Sequence, residues 1–116
     1  MSFIYLASPY THSDPAIMEY RFKVVCRVAA RLMREGNYIF SPIAHTHPIA
    51  VAGDLPKGWE YWSGYDKVMI RSCNELWILE IPGWQDSKGI TAERKLADYY
   101  FKTVRTIAPT EDDLKP

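Results

Sequence analysis

The chain has no surplus of either charge, almost no cysteine and no long apolar run. Its fourteen lysines and arginines balance fourteen acids, so no basic stripe is available to hold a polyanionic duplex. This excludes a nucleic-acid polymer as the expected partner, although a mononucleotide needs only one or two well-placed donors. The two cysteines, Cys26 and Cys73, form no CxxC pair and no Cys/His cluster, which reads as packing thiols. No stretch approaches the roughly 20 apolar residues of a spanning helix, and the opening MSFIYLASPY has neither a charged n-region nor an apolar h-region. The expectation is a cytoplasmic protein with no membrane partner. Internal repeats, low-complexity tracts, a P-loop, a dinucleotide GxGxxG and a serine-hydrolase elbow are all missing.

What remains is a chain of 116 residues, 47% of them hydrophobic, which is enough for one core and one domain spanning 1–116. Phe3 to Ala7 is a short run of strand formers closed by Ser8-Pro9. Asp14 and Pro15 then open a helix whose apolar positions, Met18, Phe22, Val25, Ala29 and Leu32, repeat at four, three, four and three until Gly36. Glu19, Lys23, Arg27 and Arg34 read as its solvated face, with Glu19 and Lys23 at the favourable i, i+4 spacing. Tyr38 to Ser41 reads as a second strand, and residues 42–58 read as a long loop punctuated by proline and glycine. A helix over 59–73, a strand over 75–80, a loop over 81–89, a helix from Gly89 to about Lys102 and a strand over 103–108 follow. The polar tail TEDDLKP is expected to fray.

Strand and helix alternating this economically predict an α/β fold: a Rossmann-like or flavodoxin-like three-layer sandwich. It has a small parallel sheet of about four or five strands with helices on both faces. In such sheets ligands bind beyond the carboxyl ends of the strands, where strand order reverses. The loops that leave those ends hold the unusual chemistry. Ser87 and Gly89 lie at the start of the last helix, where free amides, a hydroxyl and a positive helix end suit an anion; Ser87 is equally suited to be an N-cap.

Two acids stand on apolar stripes. Ile90, Glu93, Ala97 and Tyr100 share one helical face, and Asp66 shares another with Trp62 and Met69. The helix start favours an ionised Glu93 by a few tenths to ~1 kcal/mol. Two inward acids on neighbouring helices suggest paired acid/base and nucleophilic work, as in glycosidic bond cleavage. His12, His45 and His47 lack the spacing of a metal set, so neither a metal nor a cofactor is expected; one of the histidines is expected to relay a proton or contact the base, with His45 taken as the substrate-binding candidate. Trp59, Trp62 and Trp84 suit stacking on a nucleobase or packing, and Ser8 and Tyr10 suit sugar or phosphate contacts by position. Arg21 reads as a surface arginine that could reach a phosphate.

The stretch IYLASPY, the D(x7)N spacing from Asp66 to Asn74 ahead of ELWILE, and S-x-G-x-x-x-E from Ser87 to Glu93 resemble the nucleoside 2-deoxyribosyltransferase superfamily, particularly its DUF1937-type branch. The resemblance implies cleavage or exchange of the N-glycosidic bond of a (deoxy)nucleoside or its 5'-monophosphate. By it, Glu93 matches the nucleophile, Tyr5 the tyrosine that orients it, and Asp66 the acid that handles the departing base. Position 87 separates branches that carry an acid near the sugar 5' hydroxyl from those with serine at a 5' phosphate, and this chain has Ser87. Asn74 departs from the aspartate common there, and the His45-Thr46-His47 segment with the tryptophans belongs to the smaller branch. The resemblance also implies a homo-oligomer, dimer or tetramer. The alternative expectation is a domain that binds a nucleotide or nucleotide-sugar without turnover.

Overall fold

The computed structural model describes residues 2–56 and 58–116; Met1 of the expected domain and Lys57 of the expected loop lie outside the described residues. The elements run β1 (Ile4–Ala7), α1 (Pro15–Arg34), β2 (Ile39–Phe40), α2 (Pro42–Gly53), α3 (Trp59–Ser72), β3 (Glu75–Leu79), a 3-10 turn (Trp84–Asp86), α4 (Lys88–Tyr99) and β4 (Thr103–Ile107). Every strand pairing is parallel, in the order β2-β1-β3-β4, with Ile4 opposite both Ile39 and Glu75. The chain is an α/β three-layer sandwich.

Alternation along the strands fills both faces of the sheet. Tyr5, Ala7, Leu76 and Ile78 point toward Ile70 of α3 and toward Ile90 and Ala97 of α4. Leu6 and Leu79 point the other way, against Val24, Val25, Val28, Ala29 and Leu32 of α1. Each fully buried aliphatic side chain here contributes about 1.5–3 kcal/mol relative to exposure. Right-handed crossovers explain the layering: the chain moves from β1 to β2 over one face through α1, then back across β1 to β3 and β4 through α3 and α4 on the other. The reversal beside β1 opens a crevice beyond the carboxyl ends of β1 and β3.

Three local expectations are corrected. Residues 42–53 are helical, although Pro42 and Pro48 argued for a loop. Pro42 occupies the first turn, where its missing N–H costs nothing, and the Ser41 hydroxyl caps by accepting from Ala44 N at 3.1 Å. Pro48 forfeits one interior bond, yet Thr46, His47 and Ala50 are buried by the helix, so packing outweighs a penalty of ~3 kcal/mol. The face of α1 read as solvated is partly engaged: Glu19 meets His47, and Arg27 donates to the carbonyls of Asp113, Lys115 and Pro116.

The third correction is the tail, which docks on α1. Asp113 is 4% exposed and accepts from Arg31 at 2.8 Å and from Thr110 N at 2.9 Å, while the Tyr20 hydroxyl donates to the Leu114 carbonyl at 2.7 Å. Arg31 and Thr110 together hold the Asp113 carboxyl below its ordinary value despite its burial. Among the described residues no helix is long and apolar enough to cross a membrane. Removing the Asp113 carboxylate leaves Arg31 and the Thr110 amide without their acceptor. Asp113→Ala is therefore expected to lower urea stability by about 1–3 kcal/mol and to expose the last residues to hydrogen exchange. An unchanged midpoint with unchanged exchange would show that the tail is held without this bond.

Candidate functional site

The site begins in the apolar layer between the sheet and α3 and α4. Glu93, one turn into α4 on the stripe of Ile90 and Ala97, is 5% exposed, and the wholly buried Tyr5 of β1 donates its hydroxyl hydrogen to Glu93 Oε2. Asp66 of α3 is 7% exposed, and its Oδ1 has no hydrogen-bond partner among the described residues. No cation lies against either acid in any ion pair among the described residues. Burial is therefore the largest influence on both. It pushes Glu93 from 4.5 to about 8, against the Tyr5 hydrogen bond and helped by Asp66. It pushes Asp66 from 3.8 to about 7, again partly offset by Tyr5. The Tyr5 hydroxyl is itself held well above its ordinary value by burial and by the two acids, so it remains a donor.

This reverses one electrostatic expectation. The helix start was expected to keep Glu93 ionised, but that effect is at most ~1 kcal/mol and fades beyond the first turn. Glu93 is the sixth residue of α4, and desolvation dominates there. Near neutral pH the two acids share protons rather than holding two charges, as a pair with close affinities must.

A cavity of about 660 Å³, a size suited to a small-molecule ligand, lies among the loops nearby, and Tyr5, Asp66 and Glu93 are not among its described lining residues. The β1 loop supplies Tyr10, Thr11 and His12; α1 supplies Arg21; α2 supplies Ile43, Thr46, His47 and Ala50; Trp59 and Trp62 come from α3; Gly83 and residues 86–89 close the far side. Gly89 links cavity to acids, since a Cβ at that position would sit 3.8 Å from Ser87 Oγ and 3.9 Å from Glu93 Oε1. With Oε2 engaged by Tyr5, Oε1 is the oxygen turned toward Gly89.

The rim is fastened across the strand-order reversal by one side chain. Arg21 donates to the carbonyls of Tyr10 at 3.3 Å and Thr11 at 3.1 Å in the β1 loop, and to Pro82 at 3.4 Å in the β3 loop. Gly83 makes room for it. Its φ of +96° belongs to the left-handed region, and a Cβ there would lie 2.5 Å from the Arg21 guanidinium. Partial burial lowers the Arg21 pKa, but the group remains a cation facing the cavity.

Ser87 is the N-cap of α4, its Oγ accepting from Ile90 N at 3.2 Å. Capping uses a lone pair and leaves the hydroxyl hydrogen to donate, beside the first amides of the helix. Both readings of Ser87 are thus compatible with one geometry. Tyr5, Asp66 and Glu93 meet in the buried layer, outside the cavity lining and next to it only through Gly89, whereas Ser87, Gly89, Tyr10 and Trp62 line it. The Trp62 indole donates to the Pro56 carbonyl at 2.7 Å, which fixes its ring. Ser8 is 6% exposed, and its hydroxyl has no partner among the described residues.

Three expected contacts, Ser8, Trp84 and His45, are not brought to the cavity. Trp84 packs against the core from the 3-10 turn, because its ring is drawn to the apolar layer beside Ile90. His45 is exposed and lies beside Phe40 and Tyr65, whereas His47, two residues on, lines the cavity. Helical geometry decides this: residues two apart on a helix face different ways. His47 and Glu19 carry weight the sequence did not disclose, and Arg21, read mainly as a surface residue, fastens the rim. Arg21 could have been noticed three residues after Met18, at the edge of the buried stripe. The inward turn of His47 follows only from the helical path of residues 42–53, which no sequence pattern there signals.

A family model described as "Domain of unknown function (DUF1937)" matches residues 2–108, and the chain belongs to this family. No curated protein matches the chain.

Two outcomes test the site's energetics. Both acids bind protons more tightly in the folded protein than in the unfolded chain, so their contribution to stability is fully present below their ordinary values of 3.8 and 4.5 and is lost as pH rises from there through about 7 and about 8. Glu93→Gln removes one share of that penalty. It is expected to resemble the parent near pH 5 and to exceed it at about pH 9 by on the order of a few kcal/mol in urea titrations; parallel pH profiles for the two proteins would refute the assignment. Gly83→Ala is expected to cost about 1–3 kcal/mol through backbone strain and displacement of Arg21. Wild-type stability in that variant would show that neither constraint is real.

Proposed function

We propose that this domain cleaves or exchanges the N-glycosidic bond of a (deoxy)nucleoside or nucleoside 5'-monophosphate, with Glu93 as nucleophile, Asp66 as proton donor and Tyr5 as the residue that positions Glu93. The observation that carries the reading is the pair of buried acids joined through Tyr5, with Glu93 Oε1 beside Gly89 in the wall of a nucleotide-sized cavity. The resemblance of IYLASPY and of S-x-G-x-x-x-E to nucleoside 2-deoxyribosyltransferases supports the same residues in the same roles. Ser87, the first amides of α4 and Arg21 are suited to an anionic group such as a 5' phosphate.

The chemistry balances with one proton on the pair. Glu93 Oε1 attacks C1' as the C1'–N bond breaks, and the Asp66 proton passes to the departing base. A glycosyl ester on Glu93 results. Asp66, now a carboxylate, takes a proton from water or from an incoming base as that acceptor displaces Glu93. Because the two acids titrate at about 7 and about 8, moving the shared proton from Glu93 to Asp66 costs little. A homo-oligomer, dimer or tetramer, belongs to the same reading, and Tyr61, Tyr65, Val68 and Tyr99 leave exposed apolar surface on α3 and α4 that could be buried in it.

One observation favours the second reading, binding of a nucleotide or nucleotide-sugar without turnover: burial leaves Glu93 protonated around neutrality, and a protonated acid is no nucleophile. Release of free base from a panel of nucleosides and nucleotides, followed by chromatography, separates the two. The expected result is release that Glu93→Ala and Glu93→Gln abolish, with a bell-shaped pH profile peaking between about 7 and about 8, where the pair holds one proton. Calorimetric binding with no product across that pH range would establish the binding domain instead.

A further inference from the structure

The cavity holds a second line of polar groups that the reaction above leaves unused. Tyr10 from the β1 loop, His47 from α2 and Glu19 from α1 converge: the Tyr10 hydroxyl lies 2.5 Å from His47 Nδ1, and His47 Nε2 lies 2.8 Å from Glu19 Oε2. Tyr10 is 9% exposed and His47 8%, and both line the cavity, while Glu19 is half exposed on the outer side. Phe22 stacks on the imidazole with ring centroids 4.3 Å apart and fixes its plane.

For a neutral imidazole the hydrogen bonds assign the donors. A carboxylate can only accept, so Nε2 carries a hydrogen. A neutral imidazole then has a lone pair at Nδ1, and the Tyr10 O–H supplies the hydrogen between them. Tyrosine has one such hydrogen. With it spent on His47, the Tyr10 oxygen offers only lone pairs to the cavity, and burial with the nearby Glu19 raises its pKa, which keeps it a neutral phenol.

We propose that the Glu19–His47–Tyr10 chain fixes Tyr10 as a hydrogen-bond acceptor in the cavity wall, and that it selects a nucleobase carrying an amino group over the keto counterpart. The inference rests on the nucleoside or nucleotide reading above. Ile43, Ala50 and Trp62 make this part of the lining apolar and aromatic, suited to a flat base, while the start of α4 suits the anion. An exocyclic amino group donates to the Tyr10 oxygen. A keto oxygen in the same place sets lone pair against lone pair and leaves a buried acceptor unmatched, the costlier side of hydrogen bonding.

The test is calorimetric titration of the full chain, in the Glu93→Gln form so that no ligand is consumed. The probes are the deoxynucleoside 5'-monophosphates of adenine against hypoxanthine and of cytosine against uracil. The amino member of each pair is expected to bind roughly tenfold or more tightly, and Tyr10→Phe to shrink that ratio to within about twofold. Glu19→Gln, which lets the imidazole adopt either tautomer, is expected to narrow the ratio without loss of thermal stability. Nitrogen-15 shifts of the His47 ring should show Nε2 protonated and Nδ1 bare. Nucleotides that bind without discrimination, or an imidazole protonated on both nitrogens, overturn this inference and leave the proposed function standing. Failure of every nucleotide to bind overturns both.

Discussion

The Tyr5–Glu93 hydrogen bond, made inside an apolar layer, is the constraint around which the rest of the structure is arranged. A carboxyl group excluded from water either finds a cation or keeps a proton, and here the strong partner of Glu93 among the described residues is a phenol. Placing Asp66 against the same hydroxyl compounds the cost, because a second charge nearby raises the first group's proton affinity further. The core that surrounds them is otherwise well suited to offset this: the two clusters that pack against the faces of the sheet are built of apolar side chains from β1, β3, α1, α3 and α4. The acids are a concession of stability, of the kind expected where a protein keeps reactive groups.

Topology supplies the space beside them. Reversal of strand order beside β1 leaves the ends of β1 and β3 uncovered by a crossover, and the loops that follow each must go around a gap. Arg21 bridges those two loops through three backbone carbonyls, so one cation both stiffens the rim and faces the ligand space. Zero net charge is no obstacle to binding an anion in these terms. What matters is local: a guanidinium, a capping hydroxyl and the first amides of α4 gathered at one edge of the cavity.

The helix that covers the cavity, α2, links this rim to the fold's other edge. It packs beside α1, and the contact between His47 and Glu19 ties the two while directing Tyr10 inward. On the opposite end of α1, Arg27 and Arg31 gather the C-terminal residues. One long helix thus anchors the β1 loop through Arg21, α2 through Glu19 and the tail through Arg27 and Arg31.

Much of this is legible in the residues alone. Short runs of strand formers locate β1 to β4, and period-3.6 patterns locate α1, α3 and α4, because burial is a local demand that each segment must satisfy by itself. The same logic exposes Glu93 and Asp66, since a charge on an apolar stripe contradicts the pattern around it. Tertiary structure alone decided the rest. Helix α2 has two prolines and no amphipathic period, so only its contacts with α1 and β1 reveal that it is a helix. From that follows which histidine faces inward. The fate of the tail, the position of Arg21 and the protonation of Glu93 depend on groups distant in the chain, and a sequence pattern records the burial of a residue without recording the neighbours that bury it.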